Sequence, residues 1–305
     1  MIRTSGSRHP VLWGTVLALS AALGGQTLMS TPAAANRLLD EPTAVPGYTL
    51  VEKSSPLSSD SARSVSARCP SGKVVLAGGA SIVGGGQKVL LRGSYPGHAA
   101  SGHKWSAKAE EVHPGTPARW YIRAYAVCAD KPARLTYQRV DSFSDSAGRK
   151  SVRVDCPDDT QLIGLGARLK DGNHRTGINA VTVRSDHSAS ARAGESKPTS
   201  LSWSLAAHAV CAKPLEQSFH ESERKFVAGA AQSQTAAAKC PLGSRAYGTG
   251  LRLFGGSATL NRLVPVELRP TRIPPVPAEG RVTVSELAPG TPATWAFKAQ
   301  VICVR

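Results

Sequence analysis

Cys69-Pro70-Ser71-Gly72-Lys73-Val74-Val75-Leu76-Ala77-Gly78-Gly79 opens, and Trp120-Tyr121-Ile122-Arg123-Ala124-Tyr125-Ala126-Val127-Cys128 closes, a stretch that the chain writes three times. The second copy runs from Cys156-Pro157 through Gly164 and Gly166 to Trp203 and Cys211, and the third from Cys240-Pro241 through Gly248 and Gly250 to Trp295 and Cys303. Counting back by twos from each last cysteine gives Ala126, Ala124, Ile122 and Trp120, then Ala209, Ala207, Leu205 and Trp203, then Val301, Ala299, Phe297 and Trp295. An apolar residue at every second position is a β-strand with one buried face. The tryptophan shares that face with the cysteine, so it reads as core rather than as a platform for a sugar.

Working outward, the residues before each Cys-Pro alternate as well: Val65, Ala67 and Cys69, then Val152, Val154 and Cys156, then Ala236, Ala238 and Cys240. Proline next to the cysteine cannot donate to a ladder and ends or kinks the strand. Ten residues past the cysteine stands Gly79, Gly166 or Gly250. A missing side chain there marks a bend, or a place where another backbone or the tryptophan ring packs closely. Hairpin signals follow at Gly84-Gly85-Gly86, Asp171-Gly172-Asn173 and Gly255-Gly256-Ser257. The fold class expected is all-β: three tandem antiparallel β repeats of about 85 residues, at 47–131, 132–213 and 214–305. Short linkers between copies allow packing about a pseudo-threefold axis, with beads in a row as the alternative.

The N-terminus is set apart. Arg3, Arg8 and His9 make a basic start, residues 11–23 form an apolar run, and Ala33-Ala34-Ala35 offers a cleavage site. Residues 1–35 read as a secretory signal peptide, the apolar run being shorter than the ~20 residues that span a bilayer. Residues 36–46, with Pro42 and Pro46, read as a flexible leader. The protein is expected to be secreted and extracellular. Six cysteines, all beyond residue 35 and none in a close Cys-x-x-Cys pair, fit disulfides rather than a zinc or redox site. Equivalent repeats allow two connectivities. One joins Cys69–Cys128, Cys156–Cys211 and Cys240–Cys303; the cyclic one joins Cys128–Cys156, Cys211–Cys240 and Cys303–Cys69. The first is preferred, because a bond across a loop of about 60 residues adds ~4 kcal/mol to a module with a modest core.

The net charge is +16. Lys and Arg outnumber Asp and Glu by eleven to five, twelve to eight and eleven to six in the three copies, so the excess is spread evenly. No basic run of five or more occurs, which argues against a dedicated nucleic-acid groove. Diffuse positive charge draws a protein toward anionic extracellular polymers such as teichoic acids, acidic or cell-wall polysaccharides, or extracellular DNA. Each returning strand ends with an aliphatic residue followed by arginine: Leu91-Arg92, Val183-Arg184 and Leu268-Arg269. Arg92, Arg184 and Arg269 are therefore the candidate ligand-binding residues, since a guanidinium suits carboxylate or phosphate. Such an arginine is more often a solvated strand end or a structural ion pair. The middle of each copy varies most and reads as variable loops, where ligand specificity lives on a repeated scaffold.

No cofactor motif is present: the glycines are not followed by Gly-Lys-Ser/Thr, and the spacing of His98, His103 and His113 fits no common metal-ligand pattern. The function expected is that of a non-enzymatic binding or structural protein at the cell surface or on an extracellular polymer. The alternatives are a hydrolase built on those three histidines with Glu110 and Glu111, or a protease inhibitor presenting residues 270–277. Cys-Pro-x-Gly, then a glycine-rich strand, then tryptophan ending in Ala-x-Ala-Val-Cys, resembles modules of secreted actinobacterial proteins and of some phage tail-associated proteins. Residues 164–183, with Ile178-Asn179-Ala180-Val181, are similar to the Greek-key repeat of the vitelline membrane outer layer protein I family, a three-repeat β-prism. Both resemblances imply a scaffold, and no catalytic residue is carried over from either.

Overall fold

The computed structural model describes residues 45–99, 102–213, 215–229, 233–271 and 278–305. The signal peptide expected at 1–35 and the expected leader up to residue 44 lie outside the described residues, as do residues 272–277 of the proline-rich stretch. The chain is all-β. The first segment contains β1 (Thr49–Ser54), β2 (Ala62–Arg68), β3 (Val74–Gly84), β4 (Val89–Ala99), β5 (Gly102–Glu111) and β6 (Trp120–Ala129). The second contains β7 (Thr136–Asp141), β8 (Arg149–Asp155), β9 (Gln161–Asp171), β10 (Thr176–Ser185), β11 (Ser188–Glu195) and β12 (Trp203–Ala212). In the third are β13 (Gln217–Glu221), β14 (Lys225–Val227), β15 (Ser233–Lys239), β16 (Arg245–Phe254), β17 (Leu263–Thr271), β18 (Glu279–Glu286) and β19 (Trp295–Val304).

Within each segment the closing strand is flanked on both sides. β6 pairs with β1 and β3, β12 with β7 and β9, and β19 with β13, β14 and β16, all antiparallel. The strand before each Cys-Pro joins a second trio: β2-β5-β4, β8-β11-β10 and β15-β18-β17. Strands also pair between segments. β3 meets β17 at Ala80↔Leu268 and Ser81↔Glu267, and β4 meets β9 at Gly93↔Arg168 and Ser94↔Ala167. These two junctions fuse trios, so the ladders form four sheets of six, three, six and four strands, a four-bladed, propeller-like arrangement. Three equal units about a threefold axis are not what the sheets count, because β17 and β9 hydrogen-bond outside their own segments.

The alternation expected of the closing strands is present, with Trp120, Trp203 and Phe297 fully buried and Trp295 nearly so. Burying roughly 200 Å² of an indole contributes about 5 kcal/mol at most. Disulfides join Cys69 to Cys128, Cys156 to Cys211 and Cys240 to Cys303, with Cα–Cα distances of 5.6, 5.8 and 5.6 Å. Three disulfides are consistent with an extracellular setting, and among the described residues no helix is long and apolar enough to cross a membrane.

The glycines ten past each first cysteine are sites of close backbone approach between segments. A Cβ on Gly79 would lie 2.0 Å from the carbonyl oxygen of Leu268, and one on Gly166 2.4 Å from that of Ser94. At Gly250 the corresponding distance to Val181 O is 3.1 Å. Gly172, with φ +73°, sits in the second hairpin where an L side chain would be strained.

Much of the middle of each segment, expected as variable loop, is strand. β5 buries Trp105, Ala107, Ala109 and Glu111; β11 buries Ala189, Ala191, Ala193 and Glu195; β18 buries Val282, Val284 and Glu286. The period of two is intact, but small alanines set between lysines and arginines, with a buried glutamate at the end, disguise it.

Candidate anion-binding groove

The second trio of the second segment, β8-β11-β10, turns Val152, Val154, Ala189, Ala191, Ala193, Val181 and Val183 inward. Strand parity therefore places Ser151 and Arg153 of β8, Ser190 and Arg192 of β11, and Ala180, Thr182 and Arg184 of β10 on the other face. β16 of the third segment lies along β10 and adds Arg252, Leu253 and Phe254. These ten residues enclose a groove of about 450 Å³. The register sets Arg153 opposite Ser190, and Arg192 opposite both Ser151 and Ala180. Arg153 and Arg192 thus stand diagonally on neighbouring strands, roughly 7–8 Å apart at the backbone.

β10 and β16 share no ladder, and side chains span their junction instead. Thr182 Oγ1 donates to Leu251 O at 2.7 Å. Gln300 on β19, almost fully buried, accepts from Val183 N at 2.8 Å and donates from Nε2 to Val183 O at 3.3 Å and to Glu221 Oε1 at 2.7 Å. Gln300 so fixes the backbone that carries Arg184. Phe254 fixes Arg252, whose guanidinium lies 5.2 Å from the ring centroid, and brings Arg224 to 4.0 Å from the same ring.

The groove lining contains four arginines and no carboxylate. Arg153 pairs at 2.8 Å with Asp155, an exposed pair of little energetic weight. Glu221, whose carboxylate feels the charge of Arg252, is taken up by Lys298 at 2.8 Å and by Gln300. Burial alone would raise its pKa, but the hydrogen bonds from Lys298 and Gln300 outweigh that and hold its carboxyl below the usual range. Arg184 and Arg192 have no ion-pair partner among the described residues.

The three candidate arginines occupy comparable places but do not converge. Arg184 lines the groove just described. Arg92 is buried and aimed at the protein: Nη1 donates to Asn173 O at 2.7 Å, Thr176 O at 2.6 Å and Thr176 Oγ1, Nη2 donates to Asp171 O, and Nε faces Glu110 at 3.3 Å. Desolvation lowers the guanidinium's affinity for its proton. It borders a cleft of about 340 Å³ with Arg63, Lys108 and Glu110. Arg269 pairs with Glu267 at 2.6 Å and lies 5.0 Å over the Tyr125 ring, beside a cleft of about 250 Å³ with Arg123, Glu267 and Thr283. Each of these two clefts includes a glutamate; the groove at Arg184 does not.

The residues grouped for a hydrolase are dispersed. His98 stacks on Tyr137 with centroids 4.2 Å apart, and His103 Nδ1 lies 3.2 Å from the same tyrosine's hydroxyl. His113 instead faces His174 at 5.2 Å. Glu110 is engaged by Arg92, and Glu111 Oε1 accepts from the Trp120 indole at 2.7 Å. Among the described residues no group of three or more His, Cys, Asp or Glu is arranged to hold a metal ion.

Glu111 belongs to a device that the sequence reading missed. Glu195 and Glu286 accept from Trp203 and Trp295 in the same way, at 3.2 and 2.7 Å. Their other oxygens accept from the backbone N–H of Thr116, Thr199 and Thr291 at 3.0, 3.1 and 2.7 Å. A glutamate eight or nine residues before each tryptophan was the available signal. Arg153, Arg192 and Arg252 are not among the binding residues expected from the sequence, although each lies at the outward parity of an alternating strand. No protein-family model matches the chain, and no curated protein is significantly similar to it.

Proposed function

We propose that this chain is a secreted, non-enzymatic binding protein that holds an anionic extracellular polymer, such as a cell-wall polysaccharide, in the groove lined by Arg153, Arg184, Arg192 and Arg252. The observation that carries the reading is the convergence of four guanidiniums with no lining carboxylate. Net positive charge on the walls of a concave site focuses the field and raises the local concentration of anions. A merely solvated arginine face would carry interspersed acids, as the clefts at Arg92 and Arg269 do.

The same reading takes the three segments as three copies of one unit related by a pseudo-threefold axis. Five three-stranded trios and one four-stranded group, β13 and β14 sharing one flank of β19, recur in equivalent order, and the junctions β3/β17, β4/β9 and β16/β10 follow one cyclic rule, each copy's glycine strand meeting another copy's returning strand. Two junctions close with backbone pairs, which merges the six groups into four sheets; the third is bridged by Thr182 and Gln300. On this view, the unmerged junction is where the groove developed.

The test removes equal charge in two places. The variant R184Q/R192Q/R252Q is compared with K53Q/K170Q/K239Q, whose lysines are exposed and lie away from the groove. Binding to dextran sulfate is measured by titration at moderate salt. The groove variant should lose tenfold or more in affinity and the control less than twofold; equal losses would overturn the assignment.

A further inference from the structure

Resting on the groove as the binding site, we propose that its ligand groups are the sulfate or phosphate esters of a polysaccharide, in preference to the carboxylates of a uronate polymer. A carboxylate is planar, has about four lone-pair sites, and is saturated by one or two guanidiniums meeting it in plane. Four guanidiniums, each with up to five N–H donors, line this one groove of about 450 Å³. They come from four strands: β8, β11 and β10 form the floor, and β16 forms a wall. Donors approaching from the floor and the wall match a tetrahedral group with three outward oxygens.

The floor between the arginines adds hydroxyls. Ser151 lies opposite Arg192, and Ser190 opposite Arg153. Neither serine hydroxyl has a protein partner among the described residues, so both are free to donate to an ester oxygen. Thr182, by contrast, already donates to Leu251 O. The floor is thus polar and cationic, suited to a hydroxylated chain carrying dense charge.

Nucleic acid carries the same phosphate chemistry but binds single-stranded through aromatic faces on which bases stack. The aromatic residue of this lining, Phe254, already carries the guanidiniums of Arg224 and Arg252 against its ring. That favours a sugar chain over a base-bearing one.

The experiment titrates the full chain with four probes at one ionic strength: dextran sulfate, poly(glycerol phosphate), polygalacturonate and a single-stranded DNA 20-mer. The two ester polymers should bind at least tenfold more tightly than polygalacturonate. R192Q should remove most of that difference, and S190A should weaken ester binding several-fold while leaving polygalacturonate unchanged. Polygalacturonate binding as tightly as the esters, with binding still lost in the groove variant, would overturn the ester assignment and leave the groove as the site. Single-stranded DNA binding more tightly than both ester polymers would overturn the polysaccharide assignment. Equal losses in the groove and control variants would overturn the groove itself. Circular dichroism on R192Q and S190A separates any folding defect from a lost contact.

Discussion

Trp295 donates its indole N–H to Oε1 of Glu286 at 2.7 Å, with Glu286 wholly removed from solvent. The second oxygen of the same carboxyl accepts the Thr291 N–H at 2.7 Å. One glutamate thus satisfies a buried ring and the turn that leads into the closing strand. Since Glu111 and Glu195 do the same for Trp120 and Trp203, the three bonds tie each middle strand to its own closing strand.

Glu286→Leu would leave two buried donors unsatisfied. Each such donor costs about 1–3 kcal/mol, so a loss of about 2–5 kcal/mol is expected in urea unfolding. Glu286→Gln keeps an acceptor for one donor and should lose about half as much. Equal stability of wild type and the leucine variant would show that the bonds are dispensable.

The glycine at the β3/β17 junction makes a sharper claim. An added Cβ at Gly79 would meet backbone, at 2.0 Å from Leu268 O and 2.7 Å from Arg269 Cα, so neither neighbour can yield by a rotamer change. Gly79→Ala should therefore separate the junction and cost about 3 kcal/mol or more. Gly256→Ala has open space around it and an ordinary φ of −66°. That variant should unfold at the wild-type urea midpoint, and a similar drop in both would rule out close approach as the reason for glycine at 79.

The closing strands and these glycines were legible because their constraint is local: a period of two ending in cysteine, and a side chain missing at a fixed offset. The pairing of β3 with β17 and of β4 with β9 was not, because nothing in the spacing of Leu268 or Ser94 names a partner more than seventy residues away. Arg92, Arg184 and Arg269 were found by position but not told apart. Their difference lies in neighbours supplied by other strands: Glu110 on β5, Glu267 on β17, and, at Arg184, more arginine. Glu111 looked like an asymmetric catalytic candidate because its counterparts sit at unequal offsets, Glu195 eight before its tryptophan and Glu286 nine.

His208 on β12 gives the protein an acid-sensitive point. Burial pushes its imidazole down to about 4, with Arg139 adding to the effect, Asp141 opposing it, and Arg168 and His98 contributing further. Its Nε2 is shut off from solvent without a hydrogen-bond partner among the described residues. Because the folded state binds this proton less readily than the unfolded state, the stabilisation is present above about pH 6.5 and is lost as the pH falls toward 4. The shift corresponds to about 3 kcal/mol at most, less where solvent screens Arg139 and Asp141. Urea midpoints should fall between pH 7 and pH 4.5, and His208→Phe should flatten the fall. An unchanged slope in that variant would assign the acid sensitivity elsewhere.

Gln300 links stability to the groove. It is buried, and its amide takes the place of a ladder between β10 and β16 by bonding both the N–H and the carbonyl of Val183 while also donating to Glu221. Gln300→Leu removes both bonds to Val183 and leaves its polar backbone groups without partners, which should cost about 2–4 kcal/mol. It should also loosen the strand carrying Arg184 and free Glu221 to approach Arg252, so affinity for dextran sulfate should fall several-fold even where the variant is fully folded. Adding Glu221→Gln removes the competing carboxylate. The double variant should recover part of the binding without recovering stability, because the bonds to Val183 stay broken. Recovery of both together, or of neither, would separate the junction from the groove and deny Gln300 a part in binding.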